Sequence, residues 1–350
     1  MAALRSDESQ LAHRMKDIQA IAAALAEPKS VVITTHSNPD ADALGSSLGL
    51  SAYLNKLGHD VNVITSTDYP EFLKWMSGNE SVVIYSDITA EIAQMKIDKA
   101  DLIFCLDFCD LKRVEPISEF IRESNATKVM IDHHLNPTDF AEIWLHDTTA
   151  AATAELVYDL IVGMGNEKMI DSSIANCLYA GIMTDTGSFK HSNTTGKVHR
   201  TVAELIEHGA QISMVSQQIY DTNSVNRLRF LGYALNELLK VDMEHGVAYF
   251  IISHTDHLRF ELKSGDTEGL VNYALSIKGI NVAALFKEQP GEIKMSFRSV
   301  GDIAVNKFAE DNFSGGGHKN AAGGISRDSL RNTVALFKKL VESNVFGIHE

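Results

Sequence analysis

The sequence has few cysteines and no long apolar run. It contains three cysteines, an odd number without Cys-x-x-Cys spacing, which argues against a disulfide framework and a zinc ribbon. We expect Cys105, Cys109 and Cys177 to be buried core residues, although the first two flank Asp107. No stretch approaches the roughly 18 apolar residues of a membrane-spanning helix. Residues 1–10 also lack an export-signal pattern, so we expect a cytoplasmic protein without membrane contact.

Positive charge is scarce as well. The chain has 31 Lys and Arg against 46 Asp and Glu, a formal net charge of -15. Long nucleic acids are held mainly by Lys and Arg, so this balance disfavours them as partners. Either the ligand is not a long polyanion, or a local positive site such as bound divalent cations holds it. The 350 residues, 45% of them hydrophobic, allow two domains with separate cores.

Short apolar segments alternate with helical ones through the first half of the chain. Helices are predicted at about Glu8–Ala26 and Asp42–Leu57. The alternation is typical of an α/β fold with a mostly parallel sheet flanked by helices. The predicted strands are Val31–Thr35, Val61–Thr65, Val82–Tyr85, Leu102–Leu106 and Val129–Ile131.

The second half predicts a smaller α/β domain. A helical, amphipathic segment over Thr201–Lys240 precedes it. We therefore predict a first domain over residues 1–200, a helical linker over 201–240 and a second domain over 241–350. Its predicted elements are strands Val247–Ser253, Ile280–Phe286 and Ile293–Phe297, a Gly-rich loop Gly315–Gly324 and a helix Asp328–Glu342.

Histidines and carboxylates follow the ends of these elements. In parallel sheets, ligands bind at the carboxyl ends of the strands, so we expect these side chains to meet at one edge. Each alone would usually be a turn or surface residue. Together they have too many carboxylates for a structural zinc and suit two divalent ions with oxygen and nitrogen ligands, which favours metal-assisted phosphoester hydrolysis. They are His36, Asp40, Asp42, Asp107, Asp132, His133, His134 and Asp185, the last following the helical run Ile174–Met183.

Two local predictions concern the turn after the first strand. Pro39 should push Asn38 toward extended backbone. Gly45, Ser46 and Ser47 should start the following helix, where free backbone amides favour a phosphate.

The motifs that contain these residues, taken in their order along the chain, resemble those of the DHH phosphoesterase superfamily. Within it they are most similar to the small branch of bifunctional oligoribonucleases and 3',5'-bisphosphonucleoside (pAp) phosphatases. The similarity runs from about residue 30 to 325. It implies a catalytic domain and a smaller DHH-associated domain. The motifs are His36-x-Asn-Pro-Asp40-x-Asp42, Asp107, Asp132-His-His134, Gly181-Ile-Met-Thr-Asp185-Thr-Gly-Ser-Phe189 and Gly315-Gly-Gly-His-Lys-Asn-Ala-Ala-Gly323.

The resemblance also implies a binuclear manganese site, with Mg²⁺ or Co²⁺ as alternatives. Asp107 would bridge the two ions. Asp132 would orient His133, and His134 would donate a hydrogen bond to the scissile phosphate. The implied ligands are His36, Asp40 and Asp107 for one ion, and Asp42, Asp107, His133 and Asp185 for the other.

Further residues are candidates for substrate contact. Gly315, Gly316, Gly317 and His318, with Lys319 beside them, would let a phosphate approach the backbone, although a glycine triplet is more often a turn. Arg298 could hold a phosphate in a bidentate contact, or form a surface salt bridge. Ser188 and Phe189 could line a nucleotide pocket, with Phe189 stacking on a base or packing in the core.

These observations predict a phosphohydrolase that releases mononucleotides from short RNA and AMP from pAp. The alternative within the class is hydrolysis of cyclic dinucleotides or their linear products, such as c-di-AMP and pApA. A pyrophosphatase and a processive exonuclease of the RecJ kind are less favoured. A non-catalytic nucleotide-binding protein is the hypothesis from another class, but by motif no ligand position has been lost. Whether the chain forms a homodimer stays open.

Overall fold

The computed structural model describes residues 14–263 and 265–348. The chain forms two compact units, one ending at Thr222 and the other beginning at Asn223. The domain limits at residues 200 and 240 stay a prediction. The first helix, α1, is described over residues 14–24, and its predicted start lies outside the described residues. Within the described part of the chain, no helix has the length and apolarity that crossing a membrane requires.

A six-stranded sheet forms the centre of the first unit. Its strands are β1 Ser30–Thr35, β2 Asp60–Thr65, β3 Val83–Ile84, β4 Leu102–Leu106, β5 Thr127–Asp132 and β6 Ile143–His146. The order is β3-β2-β1-β4-β5-β6 and every neighbouring pair is parallel, which confirms the predicted sheet. The short, half-buried β6 was not predicted, and β3 is shorter than expected.

Helices cover both faces of this sheet. Alternate residues of a strand point to opposite faces. Ile33 packs into one hydrophobic core, and Val32 packs into another on the opposite face. All three cysteines are buried and free, as predicted, and burial raises the pKa of Cys109 to about 12. The helices are α2 Ala41–Lys56, α3 Ala90–Lys99, α4 Ser118–Glu123, α5 Thr153–Gly163, α6 Ser172–Asp185, α7 Gly196–Glu207 and α8 Ile212–Tyr220.

The second unit contains another six-stranded sheet. Its strands are β7 Leu239–Asp242, β8 Val247–Ile252, β9 Val282–Gln289, β10 Glu292–Ser299, β11 Ser314–His318 and β12 Ala321–Ser326. The order is β11-β12-β10-β9-β8-β7; only β8 and β9 run parallel, and the other pairs are antiparallel. Its helices are α9 Val225–Tyr233, α10 His254–Arg259, α11 Leu270–Leu275, α12 Val305–Asn312 and α13 Leu330–Glu342.

The prediction of a Gly-rich loop over Gly315–Gly324 is wrong, because this segment forms most of the β11–β12 hairpin. Gly315 pairs with Gly324, and a Cβ added at Gly315 would lie 2.3 Å from the carbonyl oxygen of Gly323. Glycine therefore serves close strand packing here, a role that composition alone does not separate from a loop.

Candidate metal centre

The carboxyl ends of β1 and β4 lie side by side where the strand order reverses. Ligands in open α/β sheets bind at such a point. His36 directly follows β1 and Asp107 directly follows β4. Both side chains are buried, and Nε2 of His36 lies 3.3 Å from Oδ2 of Asp107. The sheet thus brings together two residues that are far apart in sequence.

Asp40 belongs to the same group and also caps α2. Its Oδ1 accepts hydrogen bonds from the amides of Asp42 and Ala43, both at 3.0 Å, while its Oδ2 lies 3.9 Å from Nε2 of His36. Ligand atoms of His36, Asp40 and Asp107 all lie within 4.8 Å of one another. One residue therefore begins a helix and contributes to the site.

The turn after β1 differs from two predictions. Asn38 is not extended: its φ is 55°, a conformation that asparagine tolerates, and its amide donates to Oγ1 of Thr67 at 2.6 Å. Because Asp40 caps α2, the buried Gly45, Ser46 and Ser47 lie inside the helix and not at its start. The prediction that their amides face a phosphate is therefore wrong.

A second group shares Asp107 with the first. Ligand atoms of Asp42, Asp107 and His133 also lie within 4.8 Å of one another. Nδ1 of His133 faces the carbonyl oxygen of Ala150 at 3.2 Å, so Nε2 is turned to the carboxylates. It lies 3.5 Å from Oδ1 of Asp107 and 3.3 Å from Oδ2 of Asp185.

The chemistry of these two groups fits divalent metal ions. Metal bonds of about 2.1 Å place neighbouring ligand atoms about 3.0 to 3.4 Å apart, close to the His36–Asp107 and His133–Asp185 separations of 3.3 Å. The donors are carboxylate oxygens and imidazole nitrogens, both of which bind divalent metal ions. Asp107 is the residue common to both groups.

Asp132 contacts His134, and its predicted role of orienting His133 stays a prediction. Its Oδ1 lies 2.8 Å from Nδ1 of His134, and its Oδ2 accepts from the His134 amide at 3.0 Å. Asp132 therefore orients His134, and the carbonyl oxygen of Ala150 contacts His133. The backbone turns directly after β5, and this turn brings His134 back against Asp132.

Mutual attraction governs protonation in this buried cluster. Burial alone would lower the pKa of His133, but Asp107 and Asp185 raise it well above the usual range. Burial would raise the pKa of Asp107, but hydrogen bonds to His133 and His36 hold it well below. Burial, with the charges of Asp107 and Asp185, raises the pKa of Asp42 well above its usual value. A binding metal ion would therefore displace protons.

Thr153 was not predicted, yet it contacts two of the carboxylates. Its amide donates to Oδ2 of Asp42 at 2.7 Å, and its hydroxyl to Oδ1 of Asp107 at 2.9 Å. The amide of Ala154 donates to Oδ1 of Asp42 at 2.9 Å. The N-cap Ala152 has no side chain to satisfy these amides, so a carboxylate of α2 does so instead. A helix that begins after alanine needs another acceptor for its first amides, but the sequence does not show which residue provides it.

Thr153→Val is expected to weaken Mn²⁺ binding about 10- to 100-fold, the usual cost of losing a group that positions a metal ligand. Valine keeps the shape and the amide bond to Asp42 but removes the hydroxyl from Asp107. Titration calorimetry measures the affinity, and Thr153→Ser should restore it.

The control is Thr34→Val. The buried Thr34 hydroxyl has no hydrogen-bond partner within the described residues, so its removal should leave the affinity for Mn²⁺ unchanged. Equal affinity of the Thr153→Val and wild-type proteins would show that Thr153 does not position Asp107.

The remaining candidates for substrate contact lie partly in each unit. Ser188 donates to the hydroxyl of Tyr220 at 3.0 Å. Phe189 packs near Tyr179 and His199, with centroids 6.3 and 5.7 Å apart, which matches the alternative of core packing.

In the second unit, Arg298 lies on β10 and its Nη1 donates to the carbonyl of Phe297 at 2.9 Å. His318 ends β11. Lys319 pairs with Asp302 at 2.6 Å. Gly315 and Gly317 are closely packed, whereas a Cβ at Gly316 would meet only Oε1 of Glu310, at 3.8 Å. Gly316 is thus the glycine of the triplet whose backbone a ligand could approach.

Two family models match the chain: the N-terminal domain of the DHH family over residues 30–182 and the DHHA1 domain over residues 245–345. The bifunctional oligoribonuclease and PAP phosphatase NrnA of Thermus thermophilus is 31% identical over 296 residues, which cover 84% of this chain and 83% of that protein. The chain belongs to the DHH family.

One further relative and one solved structure are similar to this DHH protein over most of its length. The NrnA protein of Bacillus subtilis is 28% identical over 295 residues, covering 84% of this chain and 88% of the relative. A crystal structure of an exopolyphosphatase-related protein from Bacteroides fragilis is 36% identical, with a TM-score of 0.90, and covers 96% of this chain and 98% of the other. The likeness thus includes both domains of the DHH protein.

Proposed function

We propose that this DHH protein is a metal-dependent phosphohydrolase that cleaves short oligoribonucleotides to mononucleotides and converts pAp to AMP. The observation that carries the proposal is the sharing of Asp107 between two groups of ligand atoms, since two metal ions joined by a carboxylate suit phosphoester hydrolysis. The names of the Thermus thermophilus and Bacillus subtilis relatives support the choice of substrates.

The proposed ligands fall into two sets that share Asp107. Two divalent ions held there, which we propose to be Mn²⁺, would activate a water molecule and neutralise charge that develops on the phosphate. The amides that bind Asp40 and Asp42 fix both carboxylates before any ion arrives. The sets are His36, Asp40 and Asp107, and Asp42, Asp107, His133 and Asp185.

His134 is proposed to contact the scissile phosphate. Oδ1 of Asp132 lies 2.8 Å from Nδ1 of His134 and fixes the orientation of the ring. In the proposed contact, the imidazole ring donates a hydrogen bond to a phosphate oxygen. Asp132 thus positions a hydrogen-bond donor beside the metal ligands.

A substrate panel tests the proposal directly. Purified protein with Mn²⁺ is incubated separately with pAp, RNA of two to five nucleotides, pApA, c-di-AMP and polyphosphate. We expect AMP and phosphate from pAp and mononucleotides from RNA. Hydrolysis of polyphosphate or c-di-AMP alone would reject the proposed substrates.

Arg298→Ala is expected to raise KM for pAp about 10- to 100-fold with a smaller change in kcat, because it removes a charged hydrogen bond to substrate and leaves the metal ligands intact. Steady-state kinetics gives both constants. Arg327→Ala, an exposed arginine of the same unit, should leave them unchanged. An unaltered KM in Arg298→Ala would make Arg298 a structural residue.

A further inference from the structure

Two lysines face each other across the β9–β10 hairpin. Lys287 of β9 and Lys294 of β10 are direct partners in the antiparallel register, so their side chains leave the same face of the sheet at close range. Like charges in directly opposed positions destabilise a sheet. Strand pairing therefore does not explain why two lysines occupy these opposed positions.

Lys287 and Lys294 form no ion pair with a carboxylate in the part of the chain that the structure describes, since neither ammonium group has a carboxylate oxygen within 4.0 Å. Lys287 is half-buried, and its Nζ lies 3.5 Å from the hydroxyl of Thr267. Burial and the charge of Lys294 lower the pKa of Lys287, and Glu268 opposes this only to a smaller extent.

The face of the β9–β10 hairpin opposite the two lysines packs into a hydrophobic core. Ile293, Met295 and Phe297 alternate with the lysine row along β10 and pack into the core with α12 and α13. Arg298 is four residues beyond Lys294 on the same face, about 13 Å away at about 3.3 Å per residue.

We propose that Lys287 and Lys294 together bind an internucleotide phosphate of a short oligoribonucleotide. A phosphate anion between them would remove their repulsion and accept hydrogen bonds from both ammonium groups and from the Thr267 hydroxyl. The inference rests on the proposed function and adds a contact between the second unit and an internucleotide phosphate. The substrate pAp, with one nucleoside, has no internucleotide phosphate.

The site would also allow a protein with a net charge of -15 to bind an oligonucleotide. An acidic protein repels polyanions, so an oligonucleotide needs a local positive site to compensate. The Lys287–Lys294 pair, with Arg298 farther along β10, supplies one without making the whole surface attractive to long nucleic acids.

The test compares two substrates in the double variant Lys287→Gln/Lys294→Gln. KM for an RNA pentanucleotide should rise about tenfold, while KM for pAp stays at its wild-type value. The dependence of log KM on log salt should become shallower by about 0.7 for the pentanucleotide, the value for one phosphate contact on a single strand. The salt dependence for pAp should not change.

Lys338→Gln is the matched control, because it removes an exposed lysine from α13, the helix that packs on the opposite face of the sheet. It should behave as wild type with both substrates. If the double variant does not fold, the single Lys294→Gln variant should still show a higher KM for the pentanucleotide alone.

Two results would overturn the inference: an unchanged salt dependence for the pentanucleotide, or an equal rise of KM for pAp. If the proposed function is wrong, the wild-type protein hydrolyses neither substrate, and this result differs from both of those outcomes. In that case, fluorescence anisotropy of a labelled pentanucleotide applies the same salt criterion to binding alone.

Discussion

Replacing Asp107 by asparagine is expected to abolish hydrolysis of pAp and of short RNA, lowering kcat/KM by at least about a thousandfold. Asp107 is the carboxylate that both groups of ligand atoms share, and a neutral amide cannot serve as an anionic bridge. The same change should remove Mn²⁺ from the purified protein, which elemental analysis measures independently of activity.

Asparagine is preferred to alanine because of the backbone at this position. The φ of Asp107 is 63°, which asparagine tolerates and alanine does not, so Asp107→Ala would mix backbone strain with ligand loss. Asp139→Asn, an exposed carboxylate of the same unit, is the control and should keep full activity. Normal turnover of pAp by Asp107→Asn with Mn²⁺ would disprove the binuclear assignment.

Gly45→Ala should cause the largest loss of stability. A Cβ at Gly45 would lie 2.4 Å from the carbonyl oxygen of Cys177, so helices α2 and α6 would have to move apart. We expect a loss of about 3 kcal/mol in the free energy of unfolding, the upper end for overpacking, because the obstacle is backbone. Since α2 carries Asp42 and α6 carries Asp185, Mn²⁺ binding should weaken as well.

Gly232→Ala is the matched control for this prediction. Gly232 lies in α9, and a Cβ there would meet nothing within 4 Å, so alanine should stabilise the protein by about 0.5 to 1 kcal/mol. Urea denaturation followed by circular dichroism compares the variants. Equal midpoints for Gly45→Ala and wild type would show that the two helices are not in the close contact described here.

The sequence predicted the fold and the position of the site because both depend on simple patterns. Continuous apolar strands alternating with helices require a covered parallel sheet, and polar residues that follow such strands must meet at one edge. His36 and Asp107 illustrate this: each directly follows its strand, and their side chains lie 3.3 Å apart.

Other parts could not be predicted because they depend on backbone detail. Asp132 contacts His134 because the chain turns back after β5. Thr153 reaches Asp107 through the packing of α5 on α2, which no spacing in the sequence encodes. The glycines of β11 and β12 have the composition of a loop, but their close pairing is a tertiary contact.

The amides that bind Asp40 and Asp42 have a further electrostatic consequence. They belong to the first turns of α2 and α5, so both helices direct the positive ends of their macrodipoles at the site. That field favours the arrival of a phosphate. A chelator should remove the proposed ions without unfolding the domain, because the backbone amides already hold both carboxylates in place.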